Sequence, residues 1–237
     1  MPVRSPGIPA AELRPQEGEV FCVDKPKGWT SFDVVKKVKH LLGIRKVGHT
    51  GTLDPSATGL LILCTGKRTR DVSEFMGFEK EYEAEIVLGE RTASFDADTP
   101  VVERRPTEGI SPEQVRDVLR GFVGTQLQVP PMWSAAKVGG RRLYEYARRG
   151  IEVDRTAREI VISSIVPTEI AIPIVRCTVV CSKGTYIRTL ADDVGARLGC
   201  GAHLTNLRRT RIGPYHIRDA WTLDELKAHQ VAQTGGA

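Results

Sequence analysis

One stretch gathers the residues most able to do chemistry. GIRKVGHTGTLDPSATG, residues 43–59, holds four glycines, one histidine and one aspartate. Proline fixes its own φ, so Asp54-Pro55 is a stiff turn that sets where the carboxylate points. Gly51 and Gly59 let the backbone bend close to a ligand. The segment is also long for a connection, against a usual ~4–6 residues, and long ordered loops tend to be functional. By composition alone Asp54 is still a turn or cap aspartate and His49 a solvent-facing loop histidine. A lone carboxylate does not supply the acid–base pair of a glycoside hydrolase. Tyr186 and Arg188 are two residues apart, so an extended segment would set them on one face beside each other. Neither a P-loop nor a GxGxxG occurs. Cys200 and His203 have a metal-like spacing without a partnering Cys or His, and read as a helix-end and a loop residue.

Charge narrows the partners. Thirty-four Lys and Arg stand against 29 Asp and Glu, a net +5 in 237 residues. The distribution is uneven. Residues 81–117 carry ten acids and four bases, 137–158 seven bases and three acids, and 205–218 four arginines and no acid. Segregated basic blocks with tyrosines (Tyr144, Tyr146, Tyr215) suit a nucleic-acid backbone with stacked bases. Five scattered cysteines without a CxxC argue against a disulfide framework and for a reducing, cytoplasmic setting. Leu60 to Cys64, the longest aliphatic run, falls far short of the ~20 residues that span a bilayer, and the first 18 residues show no secretory signal.

Several elements must position these residues. Glu19 to Asp24 alternates as a strand, and Thr30-Ser31 opens a helix whose Val34, Val35, Val38, Leu41 and Leu42 share a face before Gly43. Leu60 to Cys64 is a short buried strand. Tyr82 to Leu88 is a strand with Glu83 and Glu85 facing water. Ser111-Pro112-Glu113-Gln114 is a capping box. Lys137 to Arg141 is a hairpin turn, followed by a short helix to Arg149. Ile160 to Ile165 and Val175 to Cys181 are strands. Leu190 to Leu198 is a helix with Asp192 and Asp193 in its first turn. Thr222 caps a short helix at 224–229. Strands are not separated by regular helices, so the class is α+β with a mixed, mostly antiparallel sheet flanked by helices.

GHTGTLDPSATGLL resembles the signature of the TruB family of tRNA pseudouridine synthases. VDKPKGWTS at 23–31, KEYEAEIVLG at 80–89, VPPMWSAAKVGGRRLYEYARRGI at 129–151 and the 181–215 segment resemble further blocks of that family, in family order. The resemblance covers residues 19 to about 226. It implies a pseudouridine synthase fold with a thumb insertion at about 125–155, and a catalytic domain at 18–230 between tails at 1–17 and 231–237. No PUA domain is expected.

The resemblance also implies a reaction and its residues. Uridine 55 in the tRNA T-loop is isomerised to pseudouridine after base flipping, without a guide RNA, metal or cofactor, by a monomeric enzyme with no membrane partner. Asp54 falls on the catalytic aspartate, a nucleophile that attacks either C6 of uracil or C1′ of the ribose. Tyr82 falls on the tyrosine that stacks on the base and takes the C5 proton, and Arg188 on the arginine that pairs with the aspartate. His49 falls on the histidine that fills the gap left by the flipped base. Tyr186 and Leu207 fall on the pocket lining, and Arg70 on a phosphate contact. Trp133 stands where a Tyr is usual, and LGERTASFDADTP departs from the family's Thr-Asp-Thr-type loop. The alternatives are a guide-RNA-dependent dyskerin-like synthase and a tRNA-binding folding chaperone with secondary catalysis.

Overall fold

The computed structural model describes residues 15–234; the stretches 1–14 and 235–237 lie outside the described residues. In chain order the elements are β1 (Val20–Lys25), α1 (Ser31–Leu41), β2 (Val47–His49), β3 (Thr58–Thr65), a 3-10 turn (Gly66–Asp71), α2 (Val72–Gly77), β4 (Lys80–Leu88), β5 (Glu90–Thr92) and β6 (Val101–Arg104). There follow α3 (Pro112–Arg120), β7 (Gly124–Gln128), β8 (Lys137–Val138), β9 (Arg141–Arg142), α4 (Leu143–Ala147), β10 (Arg158–Ala171) and β11 (Ile174–Cys181). The last are α5 (Ile187–Leu198), β12 (Ala202–Ile212), β13 (Tyr215–His216) and α6 (Leu223–Thr234). They form two compact units, residues 15–82 with 208–234 and residues 83–207. β4 and β12 contribute residues to both.

The first unit is built on a mixed sheet. β1 pairs antiparallel with β3 from Val20↔Cys64 to Lys25↔Gly59, β2 pairs antiparallel with the end of β3, and β12 joins β3 in parallel at Arg208↔Thr58 and Arg209↔Gly59. α1 and α6 cover one face, where Phe21, Val23, Leu61 and Leu63 meet Val34, Val38, Trp221 and Leu226. Cys22, Leu60, Ile62 and Cys64 face the other way, onto Phe75 and Ile212. Both faces are buried, which is why residues 60–64 are apolar without alternation. The Thr30 hydroxyl and the Asp33 carboxylate complete a capping box at the start of α1. Gly59 has φ +105°, and a Cβ there would lie 2.3 Å from the Arg209 carbonyl oxygen. Only glycine lets β3 and β12 approach so closely.

The second unit has β4, β11, β10 and β7 side by side, with β11 and β7 each antiparallel to β10. α3 packs on α5 and on β10, burying Val115, Leu119, Ile160, Ile162, Leu190 and Val194. β5–β6 and β8–β9 are hairpins. The Ser111/Gln114 capping box forms, with Pro112 at the first helical position.

Several sequence expectations change. α5 begins at Ile187, so Tyr186 is its N-cap and Arg188 lies inside the helix; the two do not share the face of an extended segment. Asp192 and Asp193 therefore lie beyond the first turn. The strand expected at 160–165 runs from Arg158 to Ala171, and the last helix continues past His229 to Thr234. Glu85 is half-buried rather than water-facing, bonded to Thr205 and Arg176. Sequence patterning overlooked β2, β5, β6, β7 and α2, all six residues or fewer, and β12, whose arginines obscure its alternation.

Candidate active site

In the first unit the aspartate loop is tied down along its length. Thr50 N–H donates to the Ile62 carbonyl, closing the β2 side. The Ser31 hydroxyl accepts from Leu53 N–H at 2.9 Å and donates to the Leu53 carbonyl at 3.3 Å. Ala57 N–H donates to the Asp54 carbonyl, and Gly28 N–H donates to the Pro55 carbonyl at 2.8 Å. Asp54 is half-buried at the head of this turn. Its stiff Pro55 is thus held by a backbone bond as well as by its own ring.

Two buried cations grip the same loop from below. Arg209 is 1% exposed; its Nε donates to the Leu60 carbonyl at 2.7 Å and its Nη2 to the Gly51 carbonyl at 3.2 Å. Lys25 is fully buried; its Nζ donates to the carbonyls of Trp29 at 2.7 Å, Pro26 at 3.0 Å and Pro55 at 3.4 Å. Burial pulls the Lys25 ammonium down to about 8, with the Asp54 charge opposing and the Arg209 charge assisting. His49, at the end of β2, is half-buried rather than solvent-facing. Burial and then the Arg209 charge hold its imidazole below the ordinary value, against the Gly51 backbone, so it favours the neutral form. Tyr82 is buried on β4. Arg70 is exposed on the 3-10 turn, its Nε donating to the Lys67 carbonyl.

In the second unit Arg188 is the centre. It is 4% exposed, with Nη1 donating to the Ser94 carbonyl at 3.0 Å, Nη2 to the Trp133 carbonyl at 2.8 Å and Nε 3.4 Å from Asp96 Oδ2. Asp96 is itself buried, and its Oδ1 accepts from the Ser94 hydroxyl and from Asp98 N–H at 3.0 Å. Phe95, between them, has φ +64°, a left-handed conformation that costs a side-chain residue about 1 kcal/mol. Leu204 N–H bonded to the Phe95 carbonyl at 3.0 Å helps hold it there. Tyr186 is half-buried, its backbone clamped by the Gln128 amide, which accepts from Tyr186 N–H at 2.8 Å and donates to its carbonyl at 3.1 Å. Leu207 is half-buried on β12.

Asp54, His49, Arg70 and Tyr82 thus belong to the first unit, and Tyr186, Arg188 and Leu207 to the second. Sequence reading missed Lys25, Arg209 and Asp96. Lys25 had one available signal, a charged residue ending a mostly apolar strand; Arg209, among other arginines of β12, and Asp96, in a segment that reads as an ordinary polar turn, had none. Of the Cys200–His203 pair, Cys200 Sγ donates to the Gly201 carbonyl, and His203 is a buried β12 residue rather than a loop one, its Nδ1 3.1 Å from the Glu90 carbonyl oxygen.

The chain as a whole matches known proteins. Residues 39–187 match the TruB family pseudouridylate synthase N-terminal domain. The chain belongs to the TruB family. Residues 188–236 match the tRNA pseudouridylate synthase B C-terminal domain. The chain is 48% identical over 224 residues to tRNA pseudouridine synthase B of Chlorobium luteolum, covering 92% of this chain and 78% of that one. It is 50% identical to the Parabacteroides distasonis protein of the same name over 88% of this chain and 92% of that one. Among solved structures it resembles a chain of a Cbf5-Nop10-Gar1 complex (TM-score 0.74, 30% identity, 98% of this chain and 61% of that one). It also resembles one of an H/ACA RNP bound to a substrate RNA containing 2′-deoxyuridine (TM-score 0.71, 28% identity, 100% of this chain and 62% of that one). The chain spans about three-fifths of those two solved chains. The TruB chain is accordingly a pseudouridine synthase of the α+β class, and among the described residues no helix is long and apolar enough to cross a membrane.

Proposed function

We propose that this TruB protein isomerises uridine 55 in the T-loop of tRNA to pseudouridine, acting alone and using Asp54 as the nucleophile. The reaction breaks the N1–C1′ bond, turns the base and joins C5 to C1′; C5 releases a proton and N1 gains one. A carboxylate that adds and then departs again splits that exchange into two easier steps. The reacting atoms are stacked within the folded loop, so the base must leave the stack first. The observation that carries the reading is the Asp54 turn, gripped by Lys25, Ser31 and Arg209 within the family's own motif. A nucleophile needs a fixed direction, and three anchors within a few residues supply one.

The other roles follow the family pattern residue by residue. Tyr82 stacks on the base and accepts the C5 proton, and Arg188 is the arginine that the pattern pairs with the aspartate. His49 fills the gap, and its favoured neutral form suits insertion among stacked bases. Tyr186 and Leu207 line the pocket and Arg70 contacts a phosphate. Identities of 46–50% to the bacterial enzymes, against 27–30% to the H/ACA chains, favour a synthase without a guide RNA.

The test is tritium release from unmodified tRNA transcript labelled at uridine C5. The wild type is expected to release tritium with no added RNA, and Asp54→Asn to release none while keeping the wild-type circular-dichroism spectrum. Release only with a guide RNA would move the protein to the guide-dependent type. Binding without any release would leave a folding chaperone.

A further inference from the structure

We infer that α1 and the start of α6 form a second RNA contact, which takes an unpaired strand beside the aspartate loop rather than on it. A crevice of about 480 Å³ is walled by Trp29, Lys37, Thr58, Arg208, Thr222 and Lys227, among others. A second, of about 470 Å³, is walled by Gly28, Trp29, Asp33, Lys36, Lys37 and His40. Trp29 and Lys37 border both. Of the 43–59 loop only Thr58 contributes a wall, and Asp54 lines neither crevice, so this surface adjoins that loop without including its carboxylate.

Two of the cations here are not used internally. Lys37 and Lys227 enter no ion pair among the described residues. The nearby acids are mostly engaged: Asp24 binds Arg208 at 2.7 Å, and Asp33 accepts from the Thr30 hydroxyl at 2.6 Å; Asp224 is the exposed exception. Next to these cations stand two accessible aromatics. Trp29 is half-buried between the crevices, and Phe32 is 60% exposed with the Lys36 ammonium 4.8 Å from its ring centroid. Free cations answer phosphates, and flat rings answer bases that are not already stacked on neighbours. A duplex hides its base faces, and a run of Asp and Glu has no ring to offer Trp29. Phosphate and base together specify an unpaired nucleic-acid strand, and for a pseudouridine synthase that strand is RNA.

The inference does not depend on the isomerisation, and its test is kept apart from it. A fluorescently labelled 12-nucleotide oligoadenylate, which has no uracil, is titrated against the full chain and followed by anisotropy. The wild type is expected to bind in a salt-sensitive manner. Lys37→Glu/Lys227→Glu should weaken binding roughly tenfold or more, because it reverses two phosphate contacts. Lys183→Glu/Arg116→Glu changes the net charge equally at sites outside the crevices and should stay within roughly twofold of the wild type. Trp29→Leu should lose roughly five- to one-hundred-fold in affinity, the range for removing one stacking ring. Trp29 also packs on the core, so the two lysines decide the matter if that variant misfolds. Equal weakening by both charge-reversal pairs, or none by either, would overturn the inference. So would oligoglutamate of the same charge competing as well as the RNA. Tritium release by the wild type has no bearing on these outcomes.

Discussion

Asp96→Asn keeps the size of the side chain and removes its charge, which isolates what the carboxylate does for Arg188. The guanidinium keeps its bonds to the Ser94 and Trp133 carbonyls and loses one adjacent anion. A charged contact of this kind contributes about 2 kcal/mol when buried. Urea unfolding should register that loss, and tritium release at saturating tRNA should slow at least tenfold, because Arg188 would lose the anion that helps the two carbonyls orient it. An unchanged rate with lowered stability would assign Asp96 a structural role alone. At this scale the sequence served Asp54 well and Asp96 poorly. The turn chemistry of Asp54-Pro55 is local and is written in adjacent residues. The partner of Asp96 is far away along the chain, and no short-range pattern encodes it. Tyr186 and Arg188 were placed on one face by a spacing argument that holds only for extended backbone, and a helix starts between them.

The elements set the tolerance of the site. β3 and β12 cross at Gly59, where a Cβ would meet Arg209 backbone atoms at 2.3 and 2.7 Å in a positive-φ conformation. Gly59→Ala should therefore destabilise the protein by about 3 kcal/mol or more, measured by urea unfolding, combining backbone strain with a clash that backbone atoms cannot relieve. Its effect should reach the Asp54 loop, because Arg209 also holds Gly51. α5 offers a prediction of the opposite sign. Burial, then the neighbouring Asp192 charge, push the Asp193 carboxyl up to about 6 from an ordinary 3.8, with Arg197 opposing. Between those values the folded state binds more protons than the unfolded state, so this group's contribution falls as pH rises through 4–6 and stays unfavourable above. Asp193→Asn should stabilise the protein by about 1 kcal/mol at pH 7.5, a figure reduced for solvent screening of a group that is only partly buried. It should do little at pH 4. A stabilisation equal at both pH values would show that hydrogen bonding, not ionisation, governs the site.

At the scale of the whole molecule, charge separates into what builds the fold and what remains for a partner. The arginines of 205–218 are largely spent. Arg208 binds Asp24, Arg209 is buried on carbonyls, and Arg211 faces Glu79 and Glu81. Most of the charge in that block is therefore paired within the protein, although Arg208 also walls the crevice beside α1. Many acids of 81–117 are likewise matched, Glu85 to Arg176, Glu90 to Arg104, Glu113 to Arg116 and Asp117 to Arg120. The 137–158 block differs. Arg141, Arg142, Arg148 and Arg149 are exposed, with Arg142 and Arg148 lying 5.9 and 5.3 Å from the Tyr144 ring centroid. Affinity for tRNA should accordingly fall steeply with salt, and Arg148→Ala/Arg149→Ala should lower the magnitude of the log–log slope by about 1–2, measured by filter binding. Arg211→Ala should leave the slope unchanged and instead lower stability.

By itself the sequence determined the family, the α+β class, the helix caps and the aspartate loop. These rest on short-range signals: contiguous motifs, hydrophobic periodicity and turn chemistry. Tertiary structure alone decided which charges are free and which are structural. A lysine within β1 and an arginine within β12 look like surface residues until the strands that bury them are paired. The same holds for Asp96, an ordinary loop acid that becomes the partner of a catalytic candidate only when α5 is brought beside it. Ion pairing and desolvation depend on distance in space, and linear sequence carries that information only after the chain has folded.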